Sequence, residues 1–275
     1  ESFNKFNHLK IHSQYSICEG ALKIDELSEF CKKKKIKALG LSDSFNLCGA
    51  LEFSESISKS GTQPILGTQI NFEYKNVIGK IPLIAKSEDG YKSIIKLSSK
   101  SFLQTSELDQ PNCKLEDLLN VPGNIIILSG SLDGLIGKLF EKDKIQEISE
   151  LYKILKKKFK DDFYIEIQRH NDSNEKNFEN LNLKLSYDLK IPIIATNEVF
   201  YLRKDMHEAH DALMCIGNKT NINDQTRIKL SDSHYLKNDD ELKQLFKDLP
   251  EALENNYNIV YKINFRPKAS KPVLP

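Results

Sequence analysis

Seven short runs rich in Ile, Leu and Val recur along this chain, and stretches of helical period separate most of them. The runs are HLKIH (8–12), IKALGLSD (36–43), QPILGTQINF (63–72), IPLIAK (81–86), NIIILSG (124–130), FYIEIQ (163–168) and IPIIATNE (191–198). Short continuous apolar runs are the mark of strands buried on both faces, as in a parallel sheet. The intervening segments are amphipathic. Residues 23–35 carry Ile24, Leu27, Phe30 and Cys31 at helical spacing, residues 174–190 carry Phe178, Leu181 and Leu185, and segments 90–102 and 144–160 behave alike. Strands alternating with helices predict an α/β architecture, a (βα) barrel or wound parallel sheet of about seven parallel strands. Beyond about residue 205 the strand signal fades. The expected organisation is therefore a barrel over 1–205 and a helical and loop segment over 206–275 that completes it.

Apolar residues make up 39% of the 275, enough for a core of that kind. Forty basic residues face 39 acidic ones, for a net charge of +1. Such a balance gives no general electrostatic case for nucleic-acid binding, so little DNA affinity is expected of this segment alone. No apolar run approaches the ~20 residues that span a membrane, and the first residues lack a signal-peptide pattern. A cytoplasmic protein is expected. The five cysteines (Cys18, Cys31, Cys48, Cys113, Cys215) are odd in number and scattered, with no C-x-x-C pair. They read as reduced structural thiols, Cys18 and Cys48 included. The lysine run at 32–35 reads as a solvated helix end, where cations suit the helix dipole.

In a parallel barrel, chemistry gathers at the C-terminal ends of strands. In HLKIHSQYS, a period of two puts His8, Lys10 and His12 on one face, with Leu9 and Ile11 on the other. Two histidines suggest a metal strand, but the lysine between them repels metal cations. The other strand ends carry Asp43 and Ser44, Gln69, Lys80, Ser131, Asn197, Glu198 and Phe200. A divalent cluster needs a majority of His, Asp, Glu or Cys, and this set lacks it. His170 reads as a hydrogen-bonded loop residue. His207, His210 and Asp211 read as a cap and core-edge cluster of a helix.

Longer motifs carry a resemblance. HLKIHSQYSICEGALKIDEL, ALGLSDSFNLCGALEF, PILGTQINF, IPLIAKSEDGYKSIIKLSS, FYIEIQRH, IPIIATNEVFYLRKDMHEAHDALMCI and LPEALENNYNIV follow one another in the order of one family. The chain resembles the N-terminal PHP domain of the alpha subunit of bacterial DNA polymerase III, the replicative C-family polymerase. PHP domains also occur as stand-alone phosphatases and in family X polymerases. The stretch HYLKNDDELKQLFKDLPEALENNYNIVYKINF resembles the segment by which the replicative polymerase leaves its PHP domain for the palm. That implies a distorted seven-stranded PHP barrel, with the polymerase core, its aspartates and its Mg2+ outside this chain.

The resemblance also gives a position-by-position reading. The family's H-x-H is Lys10-Ile11-His12, and the aspartate of its D-G turn is Glu19. The histidine of T-D-H is Ser44, and the glutamate of G-x-E is Gln69. Lys80 stands for a histidine, Ser131 for a cysteine or histidine, and Glu198 and Phe200 for the aspartate and histidine of N-D-x-H-Y. These nine positions imply a degenerate metal site with no catalytic residue and no bound metal. Lys10 and Lys80 are expected to pair with Glu19 and Glu198 instead. The function implied is a non-catalytic scaffold supporting DNA replication. It belongs to a parent nucleotidyltransferase, and it docks the proofreading exonuclease (epsilon) subunit by protein–protein interaction, with DNA met only through the full protein. The alternative is an active metal-dependent PHP phosphoesterase or 3′–5′ exonuclease. A third reading keeps one metal on His12, Glu19 and Glu198 for stability.

Overall fold

The computed structural model describes residues 5–16, 19–20, 22–105, 110–218, 221–224, 231–263 and 265. Cys18 lies outside them. The strands are β1 (His8–Ile11), β2 (Ala38–Ser44), β3 (Gln63–Tyr74), β4 (Val77–Ala85), β5 (Cys113–Lys114), β6 (Ile125–Leu128), β7 (Phe163–Ile167), β8 (Ile193–Ala195) and β9 (Glu198–Val199). The helices are α1 (Ile24–Lys34), α2 (Ala50–Lys59), α3 (Glu88–Leu103), α4 (Leu115–Leu119), α5 (Leu135–Glu141), α6 (Ile145–Phe159), α7 (Glu175–Leu189), α8 (His207–Gly217), α9 (Asp239–Leu245) and α10 (Pro250–Asn258). The four amphipathic segments of the sequence thus appear as α1, α3, α6 and α7.

One sheet runs in the order β8-β7-β6-β4-β3-β2-β1-β9, with β5 added beside β3. Its two edges, β8 and β9, are separated in the chain by only Thr196 and Asn197. An edge strand that continues into the opposite edge after two residues closes the sheet on itself. The expected barrel is therefore present, and covalent connection completes the seam that hydrogen bonds leave open.

Two details depart from the expected barrel of parallel strands. First, β4 is antiparallel to both β3 and β6. The residues between the apolar runs of β3 and β4 number too few for a crossover helix, which needs a dozen or so. They extend both strands into a hairpin, turned by Lys75 and Asn76 at φ 49° and 63°. Second, β1 is bulged. His8 pairs with Leu39 but Ile11 with Leu41, so three steps on β1 face two on β2. Gly40 makes room there: a Cβ on it would lie 2.7 Å from Leu9 Cα.

The bulge decides which side chains enter the barrel. Leu9 packs with Ala38, Ile65, Ile84, Ile126, Tyr164 and Ile194, one from each neighbouring strand, in an apolar floor. Ile259 and Ile263 close that floor from below. Outward residues of β1 to β3 (Ile11, Leu39, Leu41, Leu66) meet α1 and α2 through Leu27, Cys31, Phe53 and Ile57. The described residues of α9 and α10 pack onto the barrel. Asn256 binds the Asn7 backbone at N and O, Asp239 accepts from the Phe6 amide, and Leu242, Phe246 and Leu253 join the largest apolar cluster. No helix among the described residues is long and apolar enough to cross a membrane.

Candidate functional site

Above the apolar floor, the C-terminal ends of the parallel strands carry polar side chains into the barrel mouth. After the bulge, β1 delivers Lys10 and then His12 inward. Lys10 is 0% exposed and lies between two carboxylates, with Nζ 2.9 Å from Glu198 and 3.2 Å from Glu166. The register of β1 against β9 sets Lys10 beside Glu198 directly. His12 donates from Nε2 to Glu198 at 2.8 Å, and its Nδ1 lies 2.9 Å from Ser16 Oγ and 3.4 Å from Glu19. Phe200 stacks on its ring, with centroids 4.3 Å apart.

The second cation is Lys80, which bonds Glu19 and Asp133 at 3.0 Å each. Lys80 precedes the middle of β4, not its C-terminal end. It reaches the mouth because β4 is reversed. Glu19 also accepts from Ser44 Oγ at 2.5 Å and Ser16 Oγ at 3.2 Å. Gln69 donates to Glu198 at 3.0 Å. Ser131 is drawn to Asp133 by a short hydrogen bond. Eight of the nine positions singled out in the sequence therefore bond directly to one another or to a shared carboxylate, and Phe200 joins by stacking. The expected pairings Lys10–Glu198 and Lys80–Glu19 are both present.

Several members were not foreseen. Glu166, 2% exposed, accepts from Lys10, from the Gly130 amide at 3.0 Å, from Thr196 Oγ1 at 2.6 Å and from Gln168 at 3.2 Å. It was the lone charge inside the apolar run FYIEIQ, on the face shared by Tyr164 and Gln168, and that pattern was the available signal. Asp133 sits in a loop, where no periodicity marks it. His170 is the hydrogen-bonded loop residue expected, and it is also buried within the cluster. It is 1% exposed, stacks on His234 at 4.1 Å, accepts from the Glu198 amide at Nε2 and faces the Ser233 carbonyl with Nδ1. Conversely, His8 leaves the set. The bulge turns it out of the mouth, so that Nε2 meets the Lys237 carbonyl at 2.9 Å and the ring packs edge-on against Phe6. His210 binds the Glu19 carbonyl at 2.6 Å, as a core-edge residue should. Cys48 is exposed, and Cys31, Cys113 and Cys215 are buried free thiols.

The electrostatics follow from burial and pairing. Burial is the largest influence on Lys10 and would lower its pKa, but Glu166 and Glu198 together overcome it and hold the group above the ordinary lysine value. Lys80 is raised in the same way, against burial, by Asp133 and Glu19. Burial would raise Glu198, yet Lys10 and His12 keep its carboxyl well below the usual range. Asp43, clamped by Ser13 N and Oγ at 2.6 Å each, is pushed up by burial. Burial lowers His170 well below the ordinary histidine value and His234 to about 4.

This donor set does not suit a divalent metal. Both His12 nitrogens are engaged, and ammonium groups occupy the inner faces of Glu19, Glu166 and Glu198. Among the described residues, no group of three His, Cys, Asp or Glu side chains is arranged to hold an ion. The mouth opens into a groove of about 440 Å³ lined by Asp133, Asp172, Gln168 and His234. Its walls offer hydrogen bonds and negative charge.

A barrel with one reversed strand and a polar, multi-carboxylate mouth defines a class, and the family comparison names it. The PHP domain model matches residues 8–170, and the chain belongs to the PHP domain family. The chain is similar to the DNA polymerase III subunit alpha of Rickettsia prowazekii, 37% identical over 98% of this chain and 23% of that protein. The corresponding proteins of Caulobacter vibrioides and Borreliella burgdorferi are each 33% identical, over 98% and 99% of this chain and 24% and 25% of theirs. The chain thus spans about a quarter of the length of these relatives. Among solved structures, an amidohydrolase from Chromobacterium violaceum aligns with 70% of this chain and 87% of its own, at 10% identity and a TM-score of 0.45.

Proposed function

We propose that this chain is the PHP region of a DNA polymerase III alpha subunit and works there as a scaffold without hydrolytic chemistry of its own. The supporting observation is Lys10, wholly buried and held between Glu166 and Glu198. A fixed ammonium satisfies the buried carboxylates, as a metal would, but it has no open coordination position. It can therefore neither activate water nor polarise a phosphate ester. The family resemblance supplies the partner: a proofreading exonuclease subunit held beside the polymerase, which raises its effective concentration at the primer end. Replication chemistry and its Mg2+ belong, on this reading, to the remainder of the parent protein.

Two measurements test the reading. The purified chain, given Mn2+ or Zn2+, is expected to leave single-stranded DNA and p-nitrophenyl phosphate intact. Metal-dependent turnover lost on Glu198→Gln would establish the phosphoesterase alternative. Calorimetric titration with the cognate exonuclease subunit is expected to show saturable binding. If the full polymerase binds it and this chain does not, the docking site lies elsewhere.

A further inference from the structure

The net charge of +1 conceals a strong separation of charge. Helices α1, α6 and α7 each lead into the N-terminal end of a strand, so their last turns surround the barrel floor. Segments 32–37 and 156–160 lie there and supply nine lysines and no carboxylate. Hydrogen bonds and ion pairs knit the two segments into one surface. The Lys37 carbonyl accepts from the Gln63 amide, and Gln63 Nε2 binds the Ile263 carbonyl at 3.0 Å. Lys262 then reaches Asp162 at 3.5 Å, and Lys86 meets the same carboxylate at 2.8 Å. On the far side, Lys156 caps the Leu189 carbonyl at the end of α7, next to Lys190. Asp161 and Asp162 interrupt the basic arc, and Asp162 is already engaged. Glu251 and Glu254 of α10 and Asp188 of α7 bound it on one side, in the groove that Lys190 also lines, with Asp188 paired to Lys184 at 2.7 Å.

Two further observations separate this surface from ordinary solvated helix ends. Lys35 and Lys190 cap their helices in the left-handed conformation, at φ 51° and 55°. Glycine is the easy choice there, and a side chain is strained. Lysine stands at both. In addition, Tyr261 and Tyr187 are 85% and 87% exposed, and each lies within three residues of a floor lysine. An exposed aromatic ring gains nothing from water and presents a flat face.

The geometry points to the barrel floor as a binding surface for single-stranded nucleic acid, with lysines tracking the phosphates and Tyr261 and Tyr187 offering stacking faces. This combination of cations and exposed rings suits a single strand better than a duplex, whose bases are already stacked. Overall charge balance does not bar DNA from this face, because lysines outnumber carboxylates there.

The test is fluorescence anisotropy with a labelled oligothymidylate and the whole chain at low salt. Saturable binding is expected, with log K falling against log salt at a slope of about −3 for four phosphate contacts to a single strand. Replacing Lys32, Lys33, Lys157 and Lys158 by Gln should weaken binding at least tenfold, while Asp133→Asn at the mouth should not weaken it. Tyr261→Ala should weaken it about fivefold or more and Tyr261→Phe should not, a pattern expected of stacking. Thermal melting of each variant separates loss of binding from loss of fold. No binding at low salt would overturn the inference. So would Gln variants that bind like the parent, or equal affinity for polyglutamate with no response to Tyr261→Ala.

Discussion

Replacing Lys10 by Met removes one ammonium and leaves two buried carboxylates facing the space it filled. Glu166 and Glu198 side chains are 0% and 4% exposed, so water cannot take over the lost role without opening the mouth. Breaking a buried pair by deleting one partner costs about 3–5 kcal/mol. Each carboxylate retains other donors: Gly130 N, Thr196 and Gln168 for Glu166, and His12, Gln69 and Gln168 for Glu198. These moderate the loss, so about 4 kcal/mol is expected near neutral pH. For a chain of this size that is roughly a 10 °C fall in melting temperature. The pH dependence carries the stronger inference. In the parent, the Glu198 pKa is depressed, so its pairing contributes stability above the unfolded carboxyl value of about 4.3 and loses it as pH falls below that. In Lys10→Met the same carboxyl is pushed upward by burial, and protonation relieves the strain. The gap between variant and parent should therefore narrow steadily from pH 7.5 to pH 5. Urea midpoints at both pH values provide the assay, and Lys10→Met/Glu198→Gln should recover about half the loss. A variant within about 1 kcal/mol of the parent, or a gap indifferent to pH, would refute the account of the mouth as an obligatory ion-pair network.

Three further outcomes follow. His8 and His234 are both pushed down to about 4 by burial, so the folded state keeps them neutral while the unfolded chain takes up protons below about 6.5. Their contribution is intact above that value and is lost as pH falls toward 4, by about 1 kcal/mol each at pH 5.5, a decline that His8→Gln should lessen in urea unfolding. Adding Zn2+ or Mn2+ to metal-stripped protein should leave the melting temperature unchanged, and a saturable rise would show that a metal displaces the lysines. Arg169→Ala, which cuts the bonds to Glu179, Asp248 and the Leu245 carbonyl, should cost about 2–3 kcal/mol and loosen the α7–α9 junction, visible as faster amide exchange around 245–250.

How much of this was legible depended on how local the signal was. The inward placement of Lys10, His12, Gln69 and Glu198 could be read from strand period and motif order, because each lies in or beside an unbroken apolar run. His8 could not, since a single bulged residue reverses the face of everything before it, and nothing in HLKIH announces a bulge. Its cause lies thirty residues on, in the space above Gly40. Lys80 reaches the mouth for a reason its sequence does not carry: the run reads as a parallel strand, and only a reversed strand brings its early residues to that end. Glu166 was visible in principle as one charge among Ile and Phe. Asp133 was not, because a loop carboxylate is recruited by the lysine it meets and by no pattern of its own. Charge was the least legible property. Net charge sums over a surface, whereas the barrel assigns helix ends to one face and strand ends to the other.

The mouth poses a general electrostatic problem with few solutions. Two carboxylates as buried as Glu166 and Glu198 demand positive charge within a few ångströms. A diffusible divalent ion meets that demand, but its occupancy varies with concentration, and it brings an open coordination position with Lewis acidity. A tethered ammonium meets the same demand permanently and pays its ordering entropy once, during folding. It cannot leave, and it cannot serve as a Lewis acid. Lys10 sits on the strand that also carries His12, and Lys80 on the reversed strand beside Gln69, so two cations reach the carboxylates from different strands of the barrel. The exchange of mobile for covalent charge therefore ties the shape of the mouth to the fold itself. Such a barrel is well suited to presenting constant outer surfaces to a partner chain, and poorly suited to any reaction that needs the cation to change its ligands.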